Sequence, residues 1–441
     1  MAQILGSPDG LSAALVVLAL GAVYVVVVSG RPVLAVVGCV AALCLVPPWV
    51  GAGFGVFVTP LLAASLGAVV ALWRGSDMRL RTFDAALLLV LGAVAVGFVA
   101  GIVTLERAFA AVVGWGIAYL TGRIIGMRVA PADVATVVAV AFGVVATLAI
   151  LEFFTRNNFF VDIRMGGGGG YARWSGIRWR GGVPRAEGAW GSAIALGGAL
   201  AMSVPFIWVS RLRSGVKALV LTAVAFAAVV TFSRIGMIST ILAVVGCLFL
   251  LGSAVTPTFR KVVAALLVVG AAIAVPLTSD VFTAAGDEAS NSADYRGDLL
   301  SLVPEMSWLG GTGSMSVDAA GETRYGSFGS IDSAPILVGL DYGILPLLVL
   351  VVASLVAFVV VLRTRRNAAL VAVVAVIPGL TSVAFITQFT TMFWLCVGLA
   401  VADADRAARD YAPQVPWTGP SARTPVPAGV DRPGAPVSVL G

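Results

Sequence analysis

Apolar stretches close to the thickness of a bilayer, separated by short polar connectors, follow one another along almost the whole chain. A spanning helix needs about 20 such residues. Before the first long polar loop the runs are Leu11–Val28, Pro32–Val46, Gly51–Trp73, Phe83–Val103, Ala108–Leu120 and Val134–Phe154. After it come Ala189–Val209, Val216–Phe232, Ile235–Leu251 and Val262–Leu277. A second long loop precedes Ile336–Leu362, Ala368–Leu380 and Ala384–Val401. The pattern predicts an all-α polytopic membrane protein of about 12 or 13 helices. Residues 1–402 make up the transmembrane domain, with loops at 155–188 and 279–331, and residues 403–441 form a Pro-rich tail expected to be disordered.

Orientation follows from the cations. Arg74, Arg79 and Arg81 make one basic connector, and Arg123 and Arg128 a second. Arg211, Arg213 and Lys217, then Arg260 and Lys261, then Arg363, Arg365 and Arg366 make three more. The five fall on alternate connectors, so the positive-inside rule makes them cytoplasmic. Both long loops and the short Thr231–Arg234 turn then lie on the extracytoplasmic side, and the tail is cytoplasmic. The Leu11–Val28 run lacks a basic leader and a cleavage site, and it reads as a first span.

Composition agrees with this class and narrows the chemistry. Of 441 residues, 59% are hydrophobic and 11% charged, and mean hydropathy is +1.02, too little charge to coat a water-facing surface. The excess of 28 basic over 22 acidic residues is carried by arginine, since Lys217 and Lys261 are the only lysines. The chain has no histidine, which excludes Ser-His-Asp and Cys-His catalysis, His-ligated metals and imidazole relays. Acid–base work must fall to Asp, Glu, Tyr or Lys. Cys39, Cys44, Cys247 and Cys396 all sit in apolar runs and read as packing residues. There is no Walker A sequence, and Asp403–Asp405 reads as helix-end polarity and not as a metal motif.

The outer loops hold the candidate chemistry. In the first, Arg164, Arg173, Arg178, Arg180 and Arg185 alternate with Tyr171, Trp174, Trp179 and Trp190. Five arginines on a non-cytoplasmic loop run against the topological bias; guanidinium groups suit phosphate oxygens, and tryptophan faces suit sugar rings. The alternative is a solvated or headgroup-binding loop, and Gly166–Gly170 reads as a hinge or low-complexity insertion. Arg234, in TFSRIG, lies between two helices, where a charge can also simply snorkel. The second loop offers Asp294, Tyr295, Arg296, Asp298, Glu305, Asp332 and Asp341. Asp332, just ahead of a long helix, also reads as an N-cap.

Taken in order, R-x-x-G at Arg185–Gly188, TFSRIG around Arg234, Arg296, WLGGTGS at Trp308–Ser314 and DSAPILVGLDYG at Asp332–Gly343 resemble the O-antigen ligase and polymerase superfamily of bacterial envelope glycan enzymes. The resemblance covers about Arg180 to Leu347. Asp341 and Gly343 fall on the acid and glycine of the family's H-N-x-Y-L-x-x-L-x-E-x-G pattern. Asp332 stands where the ligases carry a histidine, and an acid there looks more like the polymerase-type members. The arginines shared by the family fall on Arg234 and Arg296, with Arg185 as a third.

The resemblance implies a GT-C-like glycosyltransferase architecture. It also implies transfer of an undecaprenyl-diphosphate-linked glycan to an acceptor glycan at the bilayer surface, without cofactor, metal or nucleic acid. A chain-length regulator or flippase is a further possible partner. Arg234 and Arg296 would stabilise the departing diphosphate and Asp332 would serve as general base, with Arg180, Arg185, Glu187, Trp179, Trp190, Tyr295 and Asp298 binding substrate. Two other classes compete: a ligase transferring the glycan to a lipid or protein, and a transporter or flippase. A transporter would place its polar groups near mid-membrane, whereas these lie in outer loops.

Overall fold

The computed structural model describes residues 8–53, 57–74, 78–165, 168–284, 286, 294–295, 297–312, 315–317, 323–364 and 366–410. They form an all-α bundle. The helices are α1 (Pro8–Gly30), α2 (Val33–Leu45), α3 (Pro60–Trp73), α4 (Thr82–Val99), α5 (Leu105–Arg128), α6 (Pro131–Thr155) and the short α7 (Gly168–Trp174). They continue with α8 (Ala193–Val209), α9 (Ser214–Val230), α10 (Arg234–Leu250), α11 (Pro257–Ala284), α12 (Ala334–Tyr342), α13 (Ile344–Thr364), α14 (Ala368–Leu380) and α15 (Thr387–Asp410). Among the described residues, five (α4, α5, α6, α11 and α13) are long and apolar enough to cross a membrane. Only a helix satisfies all its backbone polar groups within one segment, which is why apolar runs in this setting become helices.

The middle of the bundle is α8, nearly all of which is buried. Small residues let its neighbours approach: a Cβ on Gly197 would sit 3.0 Å from Gly236 Cα of α10. α5 and α15 are as tightly apposed, since a Cβ on Gly122 would collide with the Leu395 carbonyl and one on Gly398 with that of Tyr119. Within α5 the Val112–Ile117 stretch is a π-helical turn, and its Trp115 stacks on Trp394 at 5.6 Å. The rim is the reverse of a soluble surface. Val268 on α11 is 68% exposed and Leu355 on α13 is 64% exposed, as expected where lipid and not water is the outer solvent.

Most apolar runs became helices close to their expected bounds; four details differ. The Gly51–Trp73 run opens with a small hairpin, β1 (Ala52–Gly53) and β2 (Phe57–Val58), before α3. The Ile336–Leu362 run breaks at Gly343, where φ is +98° and an added Cβ would meet the Trp308 carbonyl at 2.7 Å. Gly168–Gly170 lie in α7, while Gly166 and Gly167 fall outside the described residues. Residues 403–410, expected in the disordered tail, continue α15; residues 411–441 fall outside the described residues.

The extension of α15 has an electrostatic cause. Arg123 was read as a connector cation, but its side chain is 0% exposed within α5. Its guanidinium donates to Asp84 of α4 at 3.1 and 3.0 Å, to Asp405 at 2.7 Å and to the Arg79 carbonyl at 2.9 Å. Tyr119 donates to Asp84 at 2.5 Å, and Arg81 also pairs with Asp405. Asp405 is thus a structural counter-ion. Arg406 adds bonds to the Gly126 and Val129 carbonyls.

The described contacts also sort the connectors by end. Arg211 pairs with Asp133, Trp208 Nε1 donates to the Leu251 carbonyl, and Asn367 donates to that of Ala400, so the basic connectors and the end of α15 meet at one end of the bundle. At the other end Trp49 donates to Ile163, Gln388 to Val46 and Ala189, and the Ala334 N–H to Val383, which gathers the long loops there.

Removing one partner of a buried ion pair leaves an uncompensated charge, at a cost of about 3–5 kcal/mol. Arg123→Ala should therefore lower thermal stability in detergent steeply. Arg81→Ala, on a side chain 40% exposed, should cost far less. Equal losses on a denaturation curve would contradict this account of the basic end.

Candidate functional site

The loop end is organised by one carboxylate that sequence reasoning passed over. Glu152, near the end of α6, is buried, and its two oxygens accept the backbone N–H groups of Glu187 at 3.1 Å and Gly188 at 2.8 Å. Gly188 has φ +54°, a conformation costly for other residues, and this lets the Arg185–Gly188 turn present both N–H groups to one acid. Asn158 closes the turn from the other side by donating to the Gly188 carbonyl at 3.1 Å. The signal for Glu152 was present in the sequence: it is the one acid in the long apolar run Val134–Phe154, and ionisable groups in such runs are usually functional or structural anchors.

That turn delivers the arginines. Arg185 is buried and donates through Nε to the Thr231 carbonyl at 3.0 Å, while the neighbouring Ala186 N–H donates to Val230. Upstream, β3 (Trp179–Arg180) and β4 (Val183–Pro184) pair through a two-residue turn, Gly181–Gly182, in which both φ values are positive, as the tightest hairpins require. This projects Arg180, whose Nη1 donates to the Phe232 carbonyl at 3.0 Å. Phe232 itself has φ +45°, so its carbonyl is turned out of the helical direction and is open to a donor.

The same turn starts α10. Ser233 caps it by accepting the Gly236 N–H at 3.2 Å, and Arg234 follows as the first helical residue with its side chain exposed. The Arg234 guanidinium lies 4.4 Å from the centre of the Phe282 ring, at the end of α11, and that of Arg180 lies 5.8 Å from the same ring. Among the described residues Arg234 forms no ion pair. The structure therefore brings Arg180, Arg185 and Arg234 together around residues 231–232.

Glu187 belongs to this cluster but not to its surface. It is 2% exposed, its Oε1 faces Arg178 Nη1 at 3.7 Å, and its carboxylate accepts the Ala193 N–H. Burial pushes its pKa up to about 7; Arg178 and Arg185 pull against that shift, and the nearby Glu152 charge adds to it.

The second loop forms a separate group. Leu299, Leu302, Tyr325, Ile331, Ile336 and Leu340 make a small apolar core of their own. On it, Tyr295 packs edge-on against Phe328 at 5.5 Å and donates to the Ser330 carbonyl. Ser330 Oγ donates to the exposed Asp332 at 3.3 Å. Burial, and then the Asp332 charge, raise the Tyr295 pKa, which sets the two side by side.

Asp332 is not the N-cap anticipated above: α12 starts at Ala334, Ser333 holds the cap position, and no side chain closes it. Asp341 is not free either. It pairs with Arg107 at 3.1 Å and accepts from Tyr325, and Arg107 also donates to Tyr325 at 2.9 Å. Arg107, another residue that sequence reasoning missed, thereby ties the second loop to α5.

Other expected site residues scatter. Trp179 is 53% exposed beside Arg180, whereas Trp190 is fully buried against Phe142 and offers no face to a sugar, which corrects its assignment. Asp298 is exposed at the start of the 3₁₀ turn Leu299–Glu305. Arg296 lies outside the described residues. Among the described residues no group of three or more His, Cys, Asp or Glu side chains is arranged to hold a metal ion. Compared with known proteins, the chain matches no family model, no curated protein and no solved structure.

The Glu187 carboxyl ties stability to pH. An unfolded Glu has a pKa of about 4.3 and the folded one about 7, so between these values the native state binds the extra proton. The stabilisation is complete below about pH 4 and is lost as pH rises through 7. The thermal midpoint should fall between pH 5.5 and 8, and Glu187→Gln should flatten that slope. A variant with the unaltered slope would place the titration elsewhere.

Proposed function

We propose that the chain is a glycosyltransferase that polymerises an envelope polysaccharide. It would take a glycan from undecaprenyl diphosphate and join it to an acceptor sugar hydroxyl at the outer face of the bacterial cytoplasmic membrane. The observation that carries this reading is the arginine cluster: an exposed guanidinium, Arg234, with no counter-ion among the described residues, on a turn that two further arginines hold rigid. Preorganised cations of this kind stabilise charge that develops on a leaving group and undergo little rearrangement as it does so. The architecture in this reading is GT-C-like, with 12 or 13 spanning helices, the long loops outside and the basic connectors in the cytoplasm.

The reaction follows from the charges. The acceptor oxygen attacks the anomeric carbon of the donor sugar while the bond from that carbon to the diphosphate oxygen breaks, and the electron pair leaves with undecaprenyl diphosphate. Arg234 and Arg180 face the growing negative charge, a role that the family resemblance implies for Arg296 as well. The acceptor proton passes to the Asp332 carboxylate, which is exposed and oriented by Ser330. Trp179, exposed next to Arg180, supplies a flat face for a sugar ring, and Asp298 and Tyr295 line the second loop. The same chemistry would serve a ligase, so the separating observation is which lipid-linked species accumulates when the gene is deleted: single repeat units for a polymerase, full-length chains for a ligase.

Topology is open to direct measurement. Gly176 and Gly329 have no atom within 4 Å of an added Cβ, and the four native cysteines are buried. Gly176→Cys and Gly329→Cys should both react with a membrane-impermeant thiol reagent in intact cells. Reaction of either only after permeabilisation would reverse the orientation and remove the proposal.

The chemistry is tested at two residues. Arg234→Lys keeps the charge but loses the planar fork, and it should cut turnover about as severely as Arg234→Ala. Asp332 is exposed and does not cap α12, so Asp332→Asn should leave stability within about 0.5 kcal/mol and yet lose the roughly 10²–10⁴-fold contribution of a general base. Full turnover by Asp332→Asn, measured on a lipid-linked repeat unit, would move the base elsewhere.

A further inference from the structure

Glu187 takes no part in the proposed reaction, yet it lies beside Arg178 and beside Arg185, one member of the cation cluster. Its own loop presents Arg178, 3.7 Å from Oε1, and Arg185, two residues away. α6 presents Glu152, whose oxygens are engaged by the Glu187 and Gly188 N–H groups. α8 presents the backbone N–H of Ala193, and the start of α15 brings the uncharged Gln388 to the adjacent Ala189 carbonyl. Among the described residues Oε1 of Glu187 has no hydrogen-bond partner. A carboxylate buried with one oxygen unsatisfied is poorly compensated, and protonation relieves it.

The cluster it faces is compact. Arg185 and Arg180 grip the carbonyls of Thr231 and Phe232, and Arg234 follows two residues after Phe232. A charge on Glu187 is therefore felt through low-dielectric protein by the guanidinium groups that look outward.

We propose that Glu187 is the counter-charge that sets how strongly the Arg180–Arg185–Arg234 cluster attracts a diphosphate: ionised, it cancels one positive charge, and protonated, it releases that charge to the ligand. This rests on the reading of the site as one that takes a lipid-linked diphosphate. Glu187 touches no substrate and acts through the arginines. The same burial that raises its pKa to about 7 puts this change of state within the ordinary range of bacterial surroundings.

The experiment uses the full chain in nanodiscs and, as probe, farnesyl-diphospho-N-acetylglucosamine, a diphosphate diester whose own charge is constant between pH 5.5 and 8. Wild-type protein should bind it more weakly at pH 8 than at pH 5.5, by about five- to tenfold, the order expected for the screened effect of one nearby charge. Glu187→Gln should bind at both pH values with the affinity of the wild type at pH 5.5. Arg178→Gln, which removes the partner that favours the ionised carboxylate, should keep the pH dependence and move its midpoint upward.

Binding that is independent of pH in the wild type, a Glu187→Gln variant that keeps the wild-type slope, or an unmoved midpoint in Arg178→Gln would overturn the counter-charge assignment and leave the diphosphate site standing. Absence of binding by wild type and Glu187→Gln alike, with both proteins unfolding cooperatively on heating, would overturn the diphosphate reading and the assignment together.

Discussion

A helix end that leaves the bundle must find partners for its last carbonyls and first N–H groups, and at the loop end of this protein charged side chains supply them. Glu152 takes two N–H groups of the Arg185–Gly188 turn, and Arg185 and Arg180 take the carbonyls of Thr231 and Phe232. Hydrogen bonds with an ionised partner are about twice as strong as neutral ones, and buried ones are costly to leave unmade. The first long loop is therefore fastened to α6, α9 and α10 at once, and the position of Arg234 is a consequence of that fastening.

The basic end solves a different problem with the same currency of charge. There the guanidinium of Arg123 is wholly enclosed, and Asp84, Asp405, Tyr119 and the Arg79 carbonyl surround it. Such a network contributes less net stability than its contacts suggest, because both ions lose water. What it does fix is register: α4, α5 and α15 fit together only when all three acidic and basic groups meet, and α15 stays helical to Asp410 as a result.

The second loop is attached more lightly. It carries its own small apolar core, and Arg107 joins it to α5 through Asp341 and Tyr325. The Arg234 cluster and Asp332 thus sit on separately supported pieces of structure, one clamped to the bundle and one resting on it. Under the proposed function, that separation would leave the donor and the acceptor on different supports.

The apolar runs by themselves determined the helical class and nearly all the helices, because a segment of some 20 apolar residues has no other way to satisfy its backbone in lipid. The alternation of basic connectors likewise anticipated which loops gather at which end. Single residues were harder to read. Asp332 looked like a cap until the helix was seen to start at Ala334, and Trp190 looked like a sugar platform until its ring was seen to be enclosed. Asp405 and Arg123 looked like surface charge, yet they are each other's partners across 282 residues of chain. Glu152 stands alone in its apolar run and Arg107 has only Glu106 beside it; their meaning lies in Glu187, Gly188, Asp341 and Tyr325, which are remote in sequence. Hydropathy is a local property and can be read along the chain; the pairing of charges depends on which helix ends meet in space, and only the tertiary structure decides that.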